Sequence, residues 1–222
     1  MFHLLAAALS GAALTAAACG FLWMRNMRKL AGEIQPPPPT DPTEWDRRGM
    51  AYHEAGHAVC SHYLPDREVL VRITISPTDE AFGMIRTVAR PHHNETRTSL
   101  LSAIAVMLAG RIAEEMFLKE TTTSCVHDLA SARQLAADMV LTWGMGSRSG
   151  LTLPPTELDY GEHLRDRRDA DIRELLADAE CSAHDILAGH AGEVEKLALL
   201  LLAKGTIEQP EIDDFFGVRK TG

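Results

Sequence analysis

Two imidazoles and a carboxylate stand close together in Tyr52-His53-Glu54-Ala55-Gly56-His57-Ala58-Val59. Residues four apart on a helix lie one turn above the other, so His53 and His57 can offer ring nitrogens to a single metal ion. Glu54 is displaced by about 100° around the axis. It therefore flanks such a metal without binding it, the position of a general base toward a metal-activated water. Zinc suits this donor set, because it takes nitrogen ligands in tetrahedral geometry and its catalytic sites keep three protein ligands with one position open. A pattern of three fixed residues also arises by chance on surface helices. Here Ala51, Ala55, Gly56, Ala58 and Val59 are small or apolar, which favours a buried helix and a buried histidine pair in need of partners.

A third ligand must come from elsewhere in the chain. The extended pattern His-Glu-x-x-His-x-x-Gly-x-x-His is excluded, since Cys60 stands where its glycine should be and Tyr63 where its third histidine should be. His62 is one residue out of step and is expected elsewhere on the helix surface. A downstream glutamate would be Glu114 or Glu115, in Gly110-Arg111-Ile112-Ala113-Glu114-Glu115. A downstream aspartate would be Asp128, near the start of a helix after a polar turn.

The elements that must position these residues read as mainly α (α+β), with a small antiparallel β ribbon. Thr43 can cap a helix that carries the histidines and stops near Leu64-Pro65. The β-branched stretch 68–76 predicts a strand and 83–88 a second, joined by the turn-like Pro77-Thr78-Asp79-Glu80. Such a ribbon beside a metal helix can present a free edge to an extended peptide. Thr98 or Ser99 can cap an almost wholly apolar core helix over 100–118. Thr123 or Ser124 can start the next helix, which bears Asp128 and ends at Gly144. After a loop rich in glycine and proline, 169–188 and 191–204 predict an antiparallel helical pair ending near Gly205.

Residues 1–24 contain no Asp, Glu, Lys or Arg and are long enough to cross a bilayer, so they predict a transmembrane anchor. A cleaved signal peptide, a lipoprotein signal ending at Cys19 and a buried apolar helix are the rival readings. A signal peptide would carry its basic residues first, whereas Arg25, Arg28 and Lys29 follow the run. By the positive-inside rule that flank puts the rest of the chain on the cytoplasmic side, at a cell inner membrane. Gln35-Pro36-Pro37-Pro38-Pro39 and Pro42 form an extended spacer, since proline cannot continue a helix. The expected organisation is thus an anchor over 1–24, a basic and proline-rich linker over 25–43 and one catalytic domain over 44–217. With 22 basic against 31 acidic residues, the formal net charge of −9 argues against nucleic acid as a partner. The 4 cysteines lie far apart and form no Cys-x-x-Cys pair, which suggests neither a disulfide framework nor a thiolate zinc site and suits a reducing compartment.

The motif His53-Glu54-Ala55-Gly56-His57, then Ala109-Gly110-Arg111-Ile112-Ala113-Glu114-Glu115, then Thr122-Thr123 up to Asp128-Leu129, then Met139-Val140 and Trp143-Gly144-Met145 resemble, in order and spacing, the protease domain of the FtsH family. The resemblance runs from about Arg47 to Phe216. It implies a helical, zincin-like peptidase fold, Zn2+ held by His53, His57 and Asp128, and Glu54 as the base. His127 stands where the family has Asn, and Thr123-Ser124-Cys125-Val126 lacks the family's turn glycine. His127 is expected to support the site from outside the ligand set or to lie on the surface. The family joins this domain to an ATPase, yet these 222 residues contain no Gly-x-x-x-x-Gly-Lys-Ser/Thr phosphate loop. The expected function is a membrane-anchored zinc metalloendopeptidase acting on unfolded or flexible proteins without its own ATPase. A homo-oligomer, hexameric by resemblance, or a separate ATPase is the expected partner. The alternative is a non-proteolytic, zinc-stabilised module that binds or regulates FtsH-like rings.

Overall fold

Helix α1, Glu44–Tyr63, starts where its sequence supplies a cap. Thr43 accepts from the Asp46 amide at 3.2 Å, and its own amide donates to the Asp46 carboxylate at 3.0 Å. This reciprocal capping box satisfies amides that a first helical turn leaves without partners. At the other end Leu64 is extended and Pro65 bars continuation. The computed structural model describes residues 43–65, 69–76, 83–88, 94–150 and 162–217. The apolar run 1–24 and the proline spacer lie outside them, as do the turn 77–80 and the Pro-rich part of the later loop. Among the described residues no helix is long and apolar enough to cross a membrane.

Strands β1, Val69–Thr74, and β2, Met84–Val88, pair antiparallel, and β3, Thr206–Glu208, adds to the other side of β1 in the order β2-β1-β3. The register slips between Leu70 and Arg72, where β1 carries one extra residue. That bulge explains why Leu70 and Ile73, three apart, are both buried although strand faces alternate every residue. β2 is left as a sheet edge. β3 was not expected from the sequence; its three residues are held by Ile73 opposite Ile207 and by the Thr74 and Thr206 hydroxyls at 2.7 Å.

Helix α2, Arg97–Leu118, is capped by Thr96, which accepts from the Ser99 amide at 3.1 Å, so neither Thr98 nor Ser99 is the cap. It ends at Lys119 in the left-handed region, φ 61°. A short 3-10 turn, Thr123–Cys125, capped by Thr122, then leads into α3, Val126–Leu141, whose first turn holds Asp128. Thr123 and Ser124 therefore belong to the turn, and α3 stops three residues before Gly144. Helices α4, Glu162–Gly189, and α5, Ala191–Lys204, do not pack mainly on each other. α4 lies on α2 and α3, while α5 lies on α1. Helix α6, Gln209–Phe216, with Pro210 in its first turn, closes the described chain and was likewise unexpected. Among the described residues Cys60, Cys125 and Cys181 form no disulfide.

The core centres on the contact of α1 with α2. A methyl group added at Gly56 would stand 2.6 Å from the Ala109 carbonyl oxygen and from the Ala113 methyl, so only glycine permits this approach. The loop after α3 is tied down chiefly by one buried carboxylate, with Glu174 also accepting from the Ser147 hydroxyl at 3.0 Å. Asp171, 1 % exposed within α4, accepts from the amides of Arg148 at 2.9 Å and Ser149 at 2.7 Å, and from the hydroxyls of Ser147 at 3.1 Å and Ser149 at 2.6 Å. Burial works against its charge, but these donors hold its pKa down to about 2. Asp171→Asn should lower stability by about 2–3 kcal/mol in urea unfolding. The contribution is present above its ordinary value of 3.8 and lost as pH falls toward 2, so parent and variant stabilities should converge in acid.

Candidate metal centre

Because α1 is helical through both histidines, His53 and His57 project together toward α2 and the start of α3. Their Nε2 atoms lie 3.0 Å apart. Asp128 Oδ2 is 3.2 Å from the first and 3.4 Å from the second. The far nitrogen of each ring faces an acceptor, and that of His53 also has the Ser124 hydroxyl at 3.5 Å. His53 Nδ1 is 2.7 Å from Glu114 Oε1, and His57 Nδ1 is 2.6 Å from the Val106 carbonyl oxygen. Each Nδ1 must therefore carry the hydrogen, which leaves both Nε2 lone pairs facing each other and a carboxylate. Three electron-rich atoms this close call for a proton or a metal cation between them. Ligands at about 2.0–2.1 Å from a tetrahedral zinc stand about 3.3–3.4 Å from one another. The observed triangle fits that spacing.

Gly110 of α2 forms the floor beneath the triangle. A methyl group there would come within 2.6 Å of His57 Nε2 and 2.7 Å of His53 Nε2, occupying the space an ion needs. Glu114, one turn further along the same helix, is 0 % exposed. It also accepts from the Thr122 amide at 2.5 Å and the Ser124 hydroxyl at 2.9 Å. Burial alone would raise its pKa; the His53 ring and these donors outweigh burial and keep it below the ordinary carboxylate range. Glu114 thus orients the His53 ring and anchors the turn that delivers Asp128. Glu115 is not in this cluster; it pairs with Arg111 at 3.4 Å.

Burial opposes a proton on His53, yet hydrogen bonds with Asp128 and Glu114 and the charge of Glu54 push its pKa up to about 9. For Asp128, burial is outweighed by the hydrogen bonds and charges of His53 and His57, which hold its pKa far below the usual range. Glu54 is buried beside the triangle. Burial raises its pKa, the two histidines opposing the rise. A methyl group at Gly83, at the start of β2, would stand 2.5 Å from Glu54 Oε1, so the strand edge comes as close to this carboxylate as glycine allows.

These groups line a cleft of about 810 Å³. Its floor is α1 from Met50 to Ser61, one wall is β2 with α2, and the other is the 3-10 turn with the start of α3. His127 lies on that last wall, exposed, and is not among the three residues whose donor atoms converge. His62 points elsewhere, stacked on Phe216 with ring centroids 4.3 Å apart. The sequence reading treated Glu114 only as a rival ligand and overlooked Thr122, Gly83 and Ser61. An acidic residue deep within an almost wholly apolar core helix was the available signal for the first.

The model of peptidase family M41 matches residues 42–215. The chain is 33% identical to ATP-dependent zinc metalloprotease FtsH 4 of Sphaerobacter thermophilus, over 79% of this chain and 29% of that protein. It is 33% identical to ATP-dependent zinc metalloprotease FtsH 3 of Symbiobacterium thermophilum, over 78% and 30%. To the mitochondrial inner membrane m-AAA protease component AFG3L2 of Mus musculus it is 30% identical, over 78% and 23%. The chain spans less than a third of the length of these curated relatives.

Glu114→Gln would set an amide NH2 against the donors that now converge on a carboxylate. Divalent-metal affinity should fall about 10- to 100-fold in a competition titration with a chromogenic chelator. The proton on His53 stabilises the metal-free fold fully below its ordinary value of 6.5, and that stabilisation is lost as pH rises through about 9. The melting temperature of chelator-treated protein should fall across this window, while metal affinity rises because the ion displaces that proton.

Proposed function

We propose, since this chain belongs to peptidase family M41, that His53, His57 and Asp128 hold a catalytic zinc ion and that the cleft hydrolyses peptide bonds. The carrying observation is the donor triangle with sides of 3.0, 3.2 and 3.4 Å beside the buried Glu54 carboxylate. When bound, zinc supplies the Lewis acidity that polarises a carbonyl and acidifies water. Glu54 takes the proton of the attacking water on a carboxylate oxygen and passes it to the leaving amine. Burial raises its proton affinity above that of an ordinary carboxylate, which favours taking a proton from water. A metal site serving only to staple the fold would have no use for a buried carboxylate beside the ligands.

Substrate binds as an extended strand along β2. β2 stands at the end of the strand order among the described residues, and Gly83, Met84, Ile85 and Thr87 line the cleft. Backbone pairing of this kind accepts many sequences but only extended ones, so the substrates are unfolded or flexible polypeptides. The apolar run 1–24 with its basic flank serves as a membrane anchor, with the peptidase on the cytoplasmic side, in keeping with the inner-membrane relative. Assembly into a homo-oligomer and ATP-driven delivery of unfolded chains belong to the same proposal, carried by the relatives rather than by residues of the cleft.

Glu54→Gln should retain about one zinc per chain and the parent melting temperature while casein hydrolysis falls at least about 10²-fold. Unchanged hydrolysis would remove Glu54 from the mechanism. Asp128→Ala should lose both zinc, read by elemental analysis, and activity; full zinc content in that variant would reject Asp128 as a ligand.

A further inference from the structure

The two helices that build the metal centre run antiparallel, and their register carries past it. His53 faces Gly110 and Glu114, Gly56 faces Ala109 and Ala113, and His57 faces Val106 and Gly110. One further turn along α1 brings Ser61, and one further turn back along α2 brings Ala103. Both line the cleft, and both are small. Ala103, Val106 and Met107 are only partly buried on a helix whose neighbouring positions 104, 105, 108 and 109 are buried, so an apolar strip of α2 is left open to the cleft. Ser61 is 4 % exposed, and its hydroxyl has no hydrogen-bond partner among the described residues. A buried hydroxyl facing a cleft without a partner is costly unless something that enters the cleft satisfies it.

From these residues we infer that the recess bounded by Ser61, Ala103, Val106 and Met107 takes the side chain of one residue flanking the scissile bond. It selects a large apolar side chain with a polar tip, tyrosine above all. The inference rests on the peptidase reading above and names the substrate preference of that cleft. The recess adjoins His57, so a carbonyl placed at the metal centre brings a neighbouring side chain to its mouth. Val106 and Met107 supply apolar walls of adaptable shape. Ala103 leaves the depth that a ring requires, and Ser61 at the base meets a phenolic hydroxyl, which can both donate and accept.

The test uses the zinc-loaded full chain and a peptide library varied at the two positions flanking the cleaved bond. Tyrosine at one of them should exceed phenylalanine by about fivefold in kcat/KM, and both should exceed alanine. Ser61→Ala should bring tyrosine and phenylalanine to parity. Ala103→Phe should lower the ratio of tyrosine to alanine at that position by at least about tenfold. The same peptides are titrated by fluorescence anisotropy against zinc-loaded Glu54→Gln, with and without Ser61→Ala. If the parent cleaves with no side-chain preference, or if both variants keep the parent preference, the pocket is overturned and the peptidase reading stands. If nothing is cleaved but Glu54→Gln binds tyrosine peptides with a preference that Ser61→Ala removes, the pocket stands and the peptidase reading falls. Neither cleavage nor selective binding overturns both.

Discussion

Everything in this molecule that can do chemistry depends on how closely α1 approaches α2. Two glycines set that distance. Gly56 lets the α1 backbone settle against Ala109 and Ala113, and Gly110 leaves room above α2 for the Nε2 atoms of His53 and His57. A methyl group at the first would push the helices apart; at the second it would fill the space between the donors. The contact is therefore both the centre of the core and the floor of the site. Packing energy and site geometry come from the same few square ångströms, so the centre is pre-formed by folding rather than assembled by its ligand.

α2 does more than provide a floor. The Val106 carbonyl accepts from one histidine and the Glu114 carboxylate from the other, two turns apart on the same helix. A carbonyl within a helix has a second lone pair free for such a bond, whereas Glu114 has to be bought with burial of a charge. That cost is offset because its two oxygens also take the Thr122 amide and the Ser124 hydroxyl. The turn between α2 and α3 is thereby clamped to the same carboxylate that aims His53. Asp128, in the first turn of α3, inherits its position from this clamp. The third donor arrives from a distant part of the chain, yet its placement is no looser than that of the other two.

How much of this was legible in the sequence follows from how local each cause is. The bounds of α1 were legible because Thr43, Asp46 and Pro65 act within a few residues. Thr96 was missed because Thr98 and Ser99 stand nearer the apolar run; only the extended backbone at Thr96 decides among them. β3 escaped because three residues carry no periodicity and are held by pairing with Thr74 and Ile73, more than a hundred residues earlier. Asp128 could be ranked first only through resemblance, since nothing around it distinguishes a ligand from any acidic residue in a first helical turn. Glu114 was visible as a candidate, but whether it reaches a metal or the back of a ring depends on the rotation of α2 about its axis. Ser61 carries no signal at all, because a serine one turn past a histidine becomes informative only when its hydroxyl is found buried beside a cleft.

The arrangement separates two tasks that a peptidase cleft must perform. Backbone pairing along β2, as proposed above, would hold any extended chain and read no side chains, so it could not by itself fix which bond lies at the metal centre. A chain sliding along a strand edge meets equivalent hydrogen bonds at every second residue. Something must break that degeneracy. Ser61, Ala103, Val106 and Met107 line the cleft about one helical turn beyond His57, and in the proposal above a side chain held there stops the chain with a carbonyl over the donors. On the proposed reading the two divide the work: the edge supplies affinity, and one side chain sets the register.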